Sequence, residues 1–185
     1  MKGSEHLLFG IGAGLITVYC FRSNITAPAP IVVGSALGAL YPDIDVATSK
    51  LGHNVKPIAS IINKLFGHRN FIHSPLNCAL ITWAIYHLLL YLDPANALIV
   101  TNGFMIGFLG HLVQDMCTKM GIPLFSPFIK TRQYLLPLRS DNPVCWVITI
   151  LLLIGYYYLC VCLKWPYTDE IMKTIENFSA IWQQI

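Results

Sequence analysis

Five apolar runs, at residues 7–21, 30–41, 71–92, 95–113 and 144–163, leave this chain few ways to fold. A full membrane span needs roughly 20 apolar residues, within a range of about 17–25. The third, fourth and fifth runs meet that length. The first two are shorter, and the second is a candidate half-span that dips into the membrane and returns. Only 11% of the 185 residues are charged and 55% are hydrophobic, with a mean hydropathy of +0.59. Soluble domains carry about a quarter charged residues. The expected fold class is therefore all-α: a polytopic helical membrane protein with four to five membrane segments, one of them potentially re-entrant, plus interfacial helices. Residues 1–165 are expected to form the membrane-embedded domain and 166–185 a C-terminal amphipathic helix.

Smaller signals refine this outline. Gly10 and Gly14, Gly34 and Gly38, and Gly103 and Gly107 each lie four apart, a spacing that lets helix backbones approach closely. With five crossings, nine lysines and arginines fall on the N-terminal side and three on the other, which predicts a cytoplasmic N-terminus. Residues 54–67 carry Ile58, Ile61, Ile62, Leu65 and Phe66 at helical spacing, as a helix lying on the membrane surface would. The net charge of +3 is too small and scattered for nucleic-acid binding and suits contact with anionic lipid. The six cysteines form no C-x-x-C pair and read as small apolar side chains, with Cys117 a stray ligand at most. Lys2 and the first apolar run imitate a signal peptide, but Pro30 after Ala29 is a poor cleavage context, so the segment is expected to be retained.

Ionisable groups at membrane depth are costly and usually functional. His6, Asp43, Asp45, His68, His73, His111 and Asp115 all sit at the ends of apolar runs, and alternating spans bring all seven to one face of the bilayer. His111 and Asp115 are four apart, on one face of a helix, where they could chelate a cation. Pro42 predicts that the second helix ends before Asp43, and extended backbone would turn Asp43 and Asp45 to the same side. Paired carboxylates repel, and a divalent cation neutralises them. Ser74 and Pro75 read as N-cap and first residue of the third helix, so His68, Arg69 and His73 would cluster before a helix N-terminus, a setting that favours phosphate. Arg69 adds a planar fork suited to phosphate oxygens. Ser4 is a candidate cap for the first helix, and His53 and His87 read as structural.

The ordered set Glu5-His6-Leu7-Leu8-Phe9, Pro42-Asp43-Ile44-Asp45, Phe66-Gly67-His68-Arg69 with His73-Ser74, and Gly110-His111 with Asp115 resembles the YdjM-like family of LexA-regulated, inner-membrane, metal-dependent hydrolases. Gly121-Ile122-Pro123-Leu124 and Leu136-Pro137-Leu138 fit as well, so the resemblance covers residues 3–140. It implies a multi-pass protein of the bacterial inner (plasma) membrane, with induction after DNA damage as part of an SOS response. The chain departs from the pattern at Val46, where a histidine often stands, at Ile72 in place of threonine, and at Pro75. The first change leaves one fewer potential ligand. The His-x3-Asp unit also resembles part of the metal site of zinc-dependent phospholipase C and P1-type nucleases, an analogy towards phosphoester chemistry.

The ligand set exceeds the three protein ligands of one catalytic zinc and suits one or two divalent ions, zinc first, with manganese or iron as alternatives. The expected activity is hydrolysis of a phosphoester of a lipid or lipid-linked substrate by a metal-activated water on the cytoplasmic side. Asp45 as base, Arg69 on the phosphate, and His73 form the expected catalytic set. The expected partners are membrane lipid and a lipid-linked or small phosphoester substrate, without nucleic acid. The rival expectation is a non-enzymatic inner-membrane scaffold of a stress response with a structural metal. A small ion transporter is a third, weakened by the one-sided cluster. The absence of H-E-x-x-H and G-x-S-x-G argues against a zincin or a serine hydrolase.

Overall fold

The computed structural model describes residues 1–21, 28–45, 71–129, 131–136, 138–140 and 142–163. Five α-helices dominate them: α1 (Gly3–Cys20), α2 (Pro28–Leu40), α3 (Pro75–Leu92), α4 (Ala97–Met116) and α5 (Val144–Leu163). Short 3-10 turns follow α2 at Tyr41–Asp45 and precede α3 at Phe71–His73. No strand is present among the described residues, only isolated bridges between residues 118 and 138 and between 122 and 133. The stretches 54–67 and 166–185, expected to be amphipathic helices, lie outside the described residues, as do His53, His68 and Arg69.

Three described helices, α3, α4 and α5, are long and apolar enough to cross a membrane. At 1.5 Å per residue, the 13 residues of α2 span only about 20 Å, short of a hydrocarbon core of about 30 Å. The bundle is built around α2, which packs on α1 and on α4, while α5 lies against α1 and α3 against α4. All three glycine pairs sit at these inner crossings. A Cβ on Gly34 or Gly38 would strike the backbone carbonyls of Val100 and Phe104, and one on Gly103 or Gly107 those of Ile31 and Ser35. On the other face of α2, Gly10 meets Ser35 and Ala39, and Gly14 meets Val32. Backbones this close leave no room for a side chain, which is how membrane helices gain contact when lipid is as apolar as leucine.

Local chemistry sets the ends of the helices near the site. Ser74 caps α3 by accepting from the Asn77 amide at 3.1 Å, with Pro75 in the first turn. The Ser74 hydroxyl also donates to Phe71 O at 2.7 Å and the Asn77 side chain to Ile72 O at 3.0 Å, which ties down the turn bearing His73. At α1 the expectation of a Ser4 cap is corrected. The helix begins at Gly3, and the Glu5 carboxylate accepts from the Lys2 amide at 2.8 Å, the reach-back half of a capping box. The extended backbone expected at Asp43 and Asp45 is also corrected. Pro42 permits a 3-10 turn because the first turn of a helix needs no N–H donor there. Tyr41 anchors that turn against Phe104 and Phe108 of α4, with ring centroids 5.5 and 5.6 Å away.

Candidate metal centre

Five of the seven expected ligands come together at one end of the bundle. His6 arrives on the first turns of α1, Asp43 just after α2, His73 just before α3, and His111 and Asp115 on the last turns of α4. Alternating helix directions deliver these ends to the same level. His6, His73, His111 and Asp115 are fully buried, and the Asp43 side chain keeps 15% of its exposure.

The donor atoms face one another. His6 Nε2 lies 3.6 Å from Asp115 Oδ1, while His73 Nε2 and His111 Nε2 lie 3.7 and 3.6 Å from Asp115 Oδ2. The same two histidine atoms lie 3.8 and 3.9 Å from Asp43 Oδ1. With metal–ligand bonds of about 2.0–2.2 Å, donors sharing one cation can be at most about 4.4 Å apart. These separations therefore fit a cation. Two triads emerge, His6 with His111 and Asp115, and Asp43 with His73 and His111. They share His111, which has one nitrogen to offer and can serve only one ion, whereas Asp115 turns one oxygen to each half.

The histidine tautomers suit ligation. His111 Nδ1 sits 2.7 Å from the carbonyl of Ala39, which can only accept, so Nδ1 carries the proton and Nε2 a lone pair. His6 Nδ1 contacts Gln114 Oε1 at 2.8 Å, with the same consequence. Both Nε2 atoms are buried with no hydrogen-bond partner among the described residues. The two rings stack at 3.7 Å between centroids. A buried polar atom without a partner is costly, and a cation is the partner this donor set fits. The Met1 ammonium already lies 2.5 Å from Asp115 Oδ1, a positive charge drawn to that carboxylate.

Electrostatics outside the spans follow the same pattern. Burial opposes ionisation of Asp43, but the imidazoles of His73, His111 and His6 around it outweigh that and hold the carboxyl below its ordinary range. Burial lowers the His73 imidazole despite its Asp43 partner, which keeps it neutral and available at pH 7.

Asp45 closes the 3-10 turn after α2, and His68 and Arg69 are outside the described residues. His87 is exposed on α3 between Trp83 and Tyr86, away from the cluster, and the buried Cys117 belongs to neither triad. Sequence reasoning passed over Gln114. A fully buried amide inside a span, three residues after His111, was the available signal. Thr149 of α5, which Gln114 contacts, carried no signal of its own.

Comparison with known proteins agrees with this architecture. The family model for YdjM inner membrane protein matches residues 1–172. "Inner membrane protein YdjM" of Escherichia coli (strain K12) is 35% identical over 133 residues, covering 69% of this chain and 66% of that protein. The protein of the same name in Shigella flexneri matches to the same extent. "Uncharacterized protein YvsG" of Bacillus subtilis (strain 168) is 33% identical over 127 residues, covering 69% of this chain and 74% of that one. The match thus spans about two thirds of the YdjM proteins' length. No solved structure matches.

Proposed function

The chain belongs to the YdjM inner membrane protein family, and we propose that it works there as a metal-dependent hydrolase on a phosphoester of a lipid or lipid-linked substrate. The observation that carries this reading is the pair of buried, lone-pair-bearing Nε2 atoms of His6 and His111, facing Asp115 and Asp43. His6, Asp43, His73, His111 and Asp115 would hold one or two divalent ions, zinc first, with manganese or iron as alternatives. Such an ion supplies a water acidic enough to attack near neutral pH and stabilises charge on a phosphoryl oxygen. Asp43, the cluster member with residual exposure, lies where a substrate would approach. From the sequence, His68 joins the ligands, Asp45 acts as base and Arg69 binds the phosphate. The substrate is a membrane lipid or lipid-linked phosphoester, met at the headgroup level on the cytoplasmic side. Lys2, Lys119, Arg132 and Arg139 belong to the segments at the cluster's end of the bundle, as the positive-inside rule requires for that orientation. With α1 and α2 counted as membrane segments beside the three long spans, the total is five, or four full crossings with α2 re-entrant.

Elemental analysis of purified protein, with lipid-phosphate turnover in detergent, tests the reading against the double variant His111→Ala/Asp115→Ala. Loss of both metal and turnover in the variant supports it. Full metal occupancy in the variant removes this pair from the site.

One observation favours a second reading, a scaffold with a structural metal. Four of the five clustered side chains are fully buried, and structural metal sites are closed whereas catalytic ones keep an open position. That reading expects a metal that raises thermal stability with no turnover of any lipid phosphate.

A further inference from the structure

One of the two outer apolar helices, α5, reaches the ligand cluster through two buried polar side chains. Gln114 Oε1 lies 2.8 Å from His6 Nδ1, Gln114 Nε2 donates to Thr149 Oγ1 at 2.8 Å, and the Thr149 hydroxyl donates to Cys145 O at 3.0 Å. Gln114 Nε2 also donates, at 3.4 Å, to the carbonyl of Glu5. Gln114 and Thr149 are both fully buried.

The direction of every bond in this chain follows from its two carbonyls. Glu5 O and Cys145 O can only accept. The hydroxyl proton of Thr149 is committed to Cys145 O, so its oxygen accepts from Gln114. The face of the Gln114 amide towards Glu5 O and Thr149 must then be nitrogen, which leaves oxygen towards His6. An amide oxygen can only accept, so His6 must carry its proton on Nδ1. In the neutral ring Nε2 is thereby left as a lone pair directed at Asp115, 3.6 Å away.

We propose that Gln114 and Thr149 are positioning residues that select the Nδ1–H tautomer of His6 and hold its ring, so that α5 helps to build the cation site without contributing a ligand. Outer partners of this kind orient ligating histidines and raise their basicity. His111 reaches the same state through one backbone carbonyl, which no side-chain substitution removes. His6 depends on side chains and is the adjustable half of the pair. The consequence for metal affinity rests on the reading of His6 as a ligand; the tautomer does not.

The test uses metal-free, full-length protein in detergent, with 15N-labelled histidine read by NMR near pH 8, where an ordinary imidazole is neutral (pKa about 6.5). His6→Asn assigns the His6 signals. Wild type is expected to show His6 protonated at Nδ1 alone. Gln114→Leu and Thr149→Val are expected to shift it towards a mixture of tautomers, and Thr149→Ser to restore the wild-type pattern. Zinc competition is expected to weaken by roughly 10–100-fold in Gln114→Leu, the usual effect of losing an outer partner, less in Thr149→Val, and not at all in Thr149→Ser. Should Gln114→Leu fail to fold, the Thr149 pair decides. An unchanged His6 tautomer in Thr149→Val overturns the proposal. Wild-type protein that takes up no zinc defeats the metal reading instead, and the tautomer measurement still decides this one.

Discussion

The inner crossing of α1, α2 and α4 and the outer helices α3 and α5 are both apolar, yet they are held in different ways. The best span window of α5 has the highest mean hydropathy, 2.2, and only 22% of it is buried. The windows of α3 and α4 have the same hydropathy, 1.4, but 11% of one is buried and 56% of the other. Apolarity therefore does not sort inside from outside here, because lipid welcomes leucine as readily as another helix does. The inner helices are distinguished by glycines that admit a neighbouring backbone and by polar side chains that need one another. The outer helices show Trp83, Leu88, Leu151 and Tyr158 to their surroundings.

Four experiments would sharpen or break that contrast. The largest effect is expected from Gly38→Leu or Gly107→Leu. The added side chain meets backbone carbonyl rather than a movable side chain, so a loss of about 3 kcal/mol or more, or failure to fold, should appear in detergent unfolding. A Gly107→Leu protein as stable as wild type would end the close-crossing account.

Next comes metal binding. His111→Ala should lower zinc affinity by at least about 100-fold, or about 2.7 kcal/mol, in a competition assay. His87→Ala, exposed on the outer face of α3, should leave affinity unchanged. Equal losses in the two variants would show that the cluster is not the site.

A smaller effect is expected from pH. His73 and Asp43 both have folded pKa values held below their ordinary ones, so the unfolded chain binds more protons and stability rises with pH through each window. For His73 the contribution is complete above about pH 6.5 and is lost as pH falls from there towards its lowered folded value. The Asp43 contribution is lost lower, as pH falls below about 3.9. Metal-free protein should therefore weaken on acidification below about pH 6.5, by at most about 1.4 kcal/mol per pH unit for one proton. Detergent melts of His73→Gln should show a flatter profile in that window, and an unchanged profile would assign the effect to other groups.

The smallest effect is expected on the outer surface. Leu151→Ala on α5 should change stability by no more than about 0.5 kcal/mol, since its side chain is 59% exposed on the bundle surface. A loss like that of a core leucine would mean that another surface covers this face.

Much of the site was legible because its signals are short-range. Ser74 and Pro75 mark the start of α3 through a cap and a missing donor, both of which act within one turn. His111 and Asp115 share a face because they are four apart on one helix. The glycine pairs announced close approach. Their partners, Val100, Phe104, Ile31 and Ser35, depend on which helix arrives and at what register, and spacing cannot tell that. The conformation at Asp43 was misread because proline is compatible both with an extended chain and with the first turn of a 3-10 helix. Tyr41 against Phe104 and Phe108, a tertiary contact, accompanies the choice. Glu5 displaced Ser4 as the capping side chain because the helix starts two residues earlier than the serine signal implied.

By itself, the order of residues determined that the chain is helical, that its long apolar runs are spans, and that ligand-type side chains cluster at run ends, since each follows from composition and local periodicity. Tertiary structure alone decided which ligands meet, which nitrogen of each histidine faces inward, and that Gln114 and Thr149 stand behind His6. Those outcomes depend on donors and acceptors brought together from residues as far apart as 6 and 114, and no local spacing encodes such a meeting.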